Sequence, residues 1–259
     1  MDTISPEEQG DPASDPERQG SSLATEKSWT VLATLGFGLL IFISFIVVQN
    51  VSVWFFGYTL ALFDPGIDWG MSLAVGAGTS GILCTALVLL VVFLRTPQVA
   101  RSFLALKSVS LRTMTAWIGL AVVIVYAGDQ LTSLLGRPNV PEVIVQAYLT
   151  ALYVPLFWFS IVIGAPLFEE IFFRGFLFAG LSRSGLGVIG TALVTTLFWT
   201  IIHSQYDSFE LSLVFGLGLF LVLARIRTGS LYVSFALHAV MNLIAVIQTM
   251  LEVASRNSG

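Results

Sequence analysis

Charge is what this sequence has least of. Asp, Glu, Lys and Arg together make up 11% of its 259 residues, against about 25% in a soluble domain. With 56% of residues hydrophobic, too little polar surface remains to clothe a water-soluble core, and the chain is expected to lie in a bilayer. Cysteine is nearly missing: Cys84 stands alone inside an apolar run, which excludes an intrachain disulfide. Basic residues are few, 12 Lys and Arg against 16 Asp and Glu, and no nucleic-acid partner is expected. A cleavable signal sequence is not expected either, because the first apolar run begins late, is long and lacks an A-x-A site. Histidine occurs only twice, as His203 and His238.

The charge that is present is unevenly placed. Residues 1–28 hold seven acids against Arg18 and Lys27, a net −5, so the other 231 residues carry +1 of the total of −4. This Pro-, Gly- and Ser-rich stretch reads as a disordered acidic tail, and the low isoelectric point belongs to it rather than to a substrate. Residues 29–250 form the membrane domain and 251–259 a short C-terminal tail.

A membrane-spanning helix needs about 20 apolar residues. Seven runs qualify or nearly so: Trp29–Val48, Met71–Leu94, Thr113–Leu134, Ala147–Phe168, Leu186–Ile202, Phe209–Ala224 and Leu231–Met250. The fold class is therefore an all-α polytopic bundle of about seven transmembrane helices. Arg95, Arg101, Lys107, Arg112, Arg183, Arg225 and Arg227 fall in loops on one side under strict alternation. Lys and Arg mark the cytoplasmic side, which puts the N-terminus inside the cell. Glycines cluster at Gly76, Gly78 and Gly81, at Gly185, Gly187 and Gly190, and at Gly216 and Gly218, where close helix packing is expected.

One apolar segment breaks the pattern. Gly164-Ala165-Pro166-Leu167-Phe168-Glu169-Glu170-Ile171-Phe172-Phe173-Arg174 places two carboxylates and a guanidinium where a bilayer penalises each by roughly 2.5–3.5 kcal/mol. Groups that costly mark a functional site. On a helix Glu170 and Arg174 are i,i+4 and share a face, whereas Glu169 points about 100° away and lacks that partner. His203 ends the fifth run, and His238 and Asn242 lie i,i+4 in the last. Comparable polar content in the first half is confined to Asp129-Gln130, so the later residues are expected to converge on one cavity.

Glu169-Glu170-x-x-x-Arg174, then Trp199-x-x-x-His203, then His238-x-x-x-Asn242 resembles the CPBP family, the CAAX-protease and bacteriocin-processing intramembrane endopeptidases that include the Rce1-like prenyl proteases. Ala165-Pro166 and Phe173-Arg174-Gly175-Phe176-Leu177 fit the first motif, and the resemblance covers about residues 150–245. The second motif usually has Phe four residues before His; here that place belongs to Trp199.

The resemblance implies hydrolysis of a peptide bond in a membrane-associated protein or peptide. Glu169 would be the general base on water and His203 would orient that water. His238 and Asn242 would donate to the oxyanion, with Glu170, Arg174 and Trp199 in support. Zinc is the competing chemistry, with Glu169, His203 and His238 as its ligands; HExxH is absent, and the expectation is an enzyme without a cofactor. The plasma membrane of a prokaryote is the expected location. An ion or proton carrier, or a non-catalytic immunity or scaffold protein, is the alternative on the same helices. Depth poses a difficulty: alternation sends His203 toward the outer face, while His238 lies about 10 Å into its helix from the inner end. A tilted or broken fifth helix would reconcile them.

Overall fold

The computed structural model describes residues 29–63 and 69–258. The acidic tail and the Asp64–Asp68 loop lie outside the described residues. Within them the chain is helical: α1 Val31–Phe63, α2 Trp69–Arg95, the short α3 Ala100–Phe103, α4 Leu111–Leu134 and α5 Glu142–Leu149. Then follow the composite α6 over Val154–Leu181, α7 Gly187–Ile201, α8 Ser208–Thr228 and α9 Leu231–Arg256. Six of these are long and apolar enough to cross a membrane, and α7 is a shorter apolar helix. The chain is an integral membrane protein built as a helical bundle.

Several ends differ from those read off the sequence, each for a local reason. The fourth span starts at Val154, not Ala147, because Pro155 cannot donate the bond that a helix continuous with α5 would need. The first helix runs through the polar Gln49-Asn50 pair, with Asn50 donating to the Ile46 carbonyl. Asp207 and Glu210 form a reciprocal capping box that starts α8, and Gly229 ends it at φ 63°, the left-handed geometry that glycine adopts freely. Helix α9 continues to Arg256, where the guanidinium pairs with Glu142 and Glu252.

Helix α6 is the axis of the bundle. Every residue from Glu170 to Leu177 is buried, as expected of a helix enclosed on all sides. Phe168, Phe172, Phe173 and Phe176 form one core with Ile41 of α1, Val88 and Val92 of α2, and Trp199 of α7. Phe45 stacks on Phe168 at 4.4 Å between ring centres. Small residues let α2 approach α6 closely: a Cβ on Gly81 would lie 2.2 Å from the Gly164 carbonyl oxygen.

The shortness of α7 removes the depth difficulty. Fifteen residues rise only about 22 Å, less than the ~30 Å hydrocarbon core. Its last turn therefore ends inside the bundle, at the level of Glu169.

Candidate active site

Helix α6 is not a regular α-helix where it carries the site. It widens to π-helical geometry over Ser160–Gly164, returns to α over Ala165–Glu169, and widens again over Glu170–Leu177. In the first wide turn the Ala165 N–H bonds to the Ser160 carbonyl, five residues back. Continued by one residue, that register would pair residue 166 with the Ile161 carbonyl, but Pro166 has no N–H. Asn242 Nδ2 of α9 donates to Ile161 O at 2.8 Å and closes the gap. One of its two amide hydrogens is thereby committed to the backbone just before the Glu-Glu pair.

Glu170 is fully buried and fully engaged. Its Oε1 accepts from His238 Nδ1 at 2.9 Å and lies 3.1 Å from Arg174 Nη1, while Oε2 accepts from the Ser234 hydroxyl. The arginine contact is an ion pair without hydrogen-bond alignment. Arg174 also donates from Nη2 to the Gly218 carbonyl at 3.4 Å, and its guanidinium lies 4.4 Å from the centre of the Trp199 ring. Breaking one partner out of such a buried pair costs about 3–5 kcal/mol, so Glu170 and Arg174 hold α6 against α8 and α9.

Glu169 is the accessible carboxylate, with 13% of its side chain exposed. Its Oε2 accepts the indole N–H of Trp199 at 2.5 Å and lies 3.9 Å from His238 Nε2. Since a carboxylate can only accept, the hydrogen bond to Glu170 places the His238 proton on Nδ1. In the neutral ring Nε2 then carries the lone pair, facing Glu169. His203 is fixed in the same way: its Nδ1 donates to the Trp199 carbonyl at 2.8 Å, which leaves Nε2 free. Both imidazoles pack edge-on against Trp199, with ring centres at 4.7 Å for His203 and 5.5 Å for His238. Tyr206, in the turn after α7, stacks near His203.

The residues singled out from sequence thus gather around Trp199 and the Glu169-Glu170 pair. Asn242 meets α6 at the Ile161 carbonyl, about two helical turns before the carboxylates, rather than touching them. Two contributors were passed over. Ser234 lies one turn before His238 on the same face, a spacing visible in the sequence. Gly218, expected from the sequence only to pack helices closely, packs against the site itself: a Cβ there would sit 2.9 Å from the Trp199 ring. Among the described residues no three His, Cys, Asp or Glu side chains converge closely enough to hold a metal ion.

The model of the family described as type II CAAX prenyl endopeptidase Rce1-like matches residues 150–244, a span that contains Glu169, Glu170, Arg174, Trp199, His203, Ser234, His238 and Asn242. No curated protein and no solved structure matches the chain. A match to this family supports CAAX-type intramembrane protease activity. Over residues 150–244, the chain is thus similar to the type II CAAX prenyl endopeptidase Rce1-like family.

Proposed function

We propose that the protein hydrolyses a peptide bond of a membrane-associated protein or peptide, with a water activated by Glu169 and without a metal. The observation that carries this reading is the 3.9 Å between Glu169 Oε2 and His238 Nε2. A water about 2.8 Å from each atom would subtend about 90°, close to the angle between its own two O–H bonds. It would then donate to both acceptors and turn a lone pair toward the scissile carbonyl.

In the reaction the water oxygen bonds to the carbonyl carbon as its proton passes to Glu169. The carbon–nitrogen bond then breaks, and Glu169 returns the proton to the leaving amine. Oxyanion stabilisation falls to a donor still free, the second amide hydrogen of Asn242. Glu170 orients the His238 ring through Nδ1, and Trp199 fixes the Glu169 carboxylate. Both are positioning residues.

The test uses detergent-purified protein with CAAX-type and leader-peptide reporters. General base catalysis is worth about 10²–10⁴-fold, so Glu169→Gln should lose at least about that much turnover while still folding and binding substrate. Exhaustively chelated wild type should remain active. Activity lost to chelation and restored by zinc would overturn the metal-free mechanism. Full activity in Glu169→Gln would overturn the peptidase assignment of this site.

A further inference from the structure

At the end of the bundle that carries Arg183 and Arg225, a cavity of about 460 Å³ opens between the start of α1, α3, the end of α6 and α8. Its lining is apolar at Trp29, Phe103 and Phe178, and polar and cationic at Ser182, Arg183, Ser184 and Arg225; among the described residues no acid lines it.

Arginines at helix ends ordinarily extend toward the headgroup region and water. In Arg225 one guanidinium nitrogen is held back: its Nε is buried without a hydrogen-bond partner among the described residues, and its guanidinium sits 5.8 Å from the centre of the Phe178 ring. Among the described residues neither Arg183 nor Arg225 takes part in an ion pair. A buried guanidinium nitrogen without an acceptor requires an explanation, and an unseen anion is the one that suits a cavity with this lining.

We propose that this cavity binds the phosphate of an anionic lipid headgroup. The chemistry recognised is a phosphate oxygen pair facing guanidinium N–H groups, the geometry in which arginine binds best. The Ser182 and Ser184 hydroxyls border the same space. Basic pockets between membrane helices suit such headgroups, and the Trp29–Phe103–Phe178 wall supplies a surface for the acyl chain. Bound there, the lipid would join the end of α6, the Glu169 helix, to α8, whose Gly218 carbonyl accepts from Arg174. The inference is independent of the peptidase reading.

The experiment measures melting of the purified full chain in a neutral detergent with added phosphatidylglycerol, phosphatidylcholine or inorganic phosphate. Phosphatidylglycerol should raise the melting temperature by several degrees, phosphatidylcholine should not, and the rise should shrink at high ionic strength. Arg183→Gln/Arg225→Gln should remove the rise. Arg225→Lys, which keeps the charge but loses the planar fork, should reduce it and serves if the double variant does not melt cooperatively. Equal shifts with the two lipids, or an undiminished phosphatidylglycerol shift in these variants, would overturn the site. An equal shift with inorganic phosphate would overturn a lipid as the source of the anion.

Discussion

Two adjacent glutamates of identical chemistry differ here only in what donates to them. Glu170 receives a hydroxyl and an imidazole and faces a guanidinium, whereas Glu169 receives one indole N–H and keeps 13% of its side chain exposed. Their division was legible in part, since i,i+4 spacing assigns Arg174 to Glu170 and leaves Glu169 over. The rest was not, because His238 and Trp199 reach the pair from distant parts of the chain. Trp199 is where the family resemblance and the structure diverge most usefully. Phenylalanine, usual at that place, keeps the ring under Arg174 but offers Glu169 no donor. A hydrogen bond to a charged group is worth about 1.5–3 kcal/mol, so Trp199→Phe should lower kcat by roughly 10–100-fold. Yield and melting temperature should stay near wild type, because the ring contacts persist. A kcat unchanged by the substitution would mean that the indole N–H does not position the carboxylate.

Among the elements, α6 shows how an irregular helix serves a site. A π turn widens the ring of backbone bonds, and Pro166 then leaves the Ile161 carbonyl without its donor, which Asn242 replaces from α9. This predicts an interaction that can be measured. Asn242→Ala should destabilise by about 1 kcal/mol, the low end of the cost of an unsatisfied acceptor, because the Ile161 carbonyl is part-buried. Pro166→Ala restores an N–H at the position where the wide turn needs one, so the double variant should recover part of the loss. Additive effects in that double-mutant cycle would show that the two residues do not share the carbonyl. Sequence periodicity locates α6 well enough, since its apolar length is plain. It does not reveal π geometry, which depends on one extra residue per turn and on a partner from another helix. Nor does it reveal that α7 ends short of a full crossing, because an apolar run of Leu186–Ile202 looks alike whether its last residues meet lipid or a carboxylate.

For the whole molecule, the polar contacts sort by end. Arg137 pairs with Asp207 at 2.6 Å and Arg256 with Glu142 at 3.0 Å at one end. At the other, the Leu231 N–H bonds to the Ala105 carbonyl, the Ser230 hydroxyl to the Lys107 carbonyl, and Trp29 stacks on Phe103. The hydrogen bond from Arg137 holds the Asp207 carboxyl below its usual range, and Arg256 does the same for Glu142. A folded pKa below the unfolded one contributes stability above the unfolded value, and that contribution is lost as pH falls through the folded one. Acid should therefore lower the melting temperature. It should do so less in Asp207→Asn, which keeps the N-cap while removing the charge; identical acid sensitivity in the two proteins would dismiss this pair as a contributor.

The same sorting by end fixes which loops must share a side of the membrane, and the Lys/Arg bias then chooses the side. Residues 95–112 carry Arg95, Arg101, Lys107 and Arg112, and they pack against the turn between α8 and α9 that follows Arg225 and Arg227. The opposite end balances Arg137 and Arg256 with Asp207 and Glu142, so the bias is concentrated at the first end. Basic residues near span ends are retained in the cytoplasm, which predicts that this end, with the start of α1, faces inward. Cysteines placed at Ser102 and at Asn139, both exposed, in a Cys84→Ala background would be probed in intact cells with an impermeant maleimide. Position 139 should label at once and position 102 only after the membrane is opened. Labelling of position 102 from outside would invert the protein, and with it the leaflet in which the Arg183–Arg225 cavity lies.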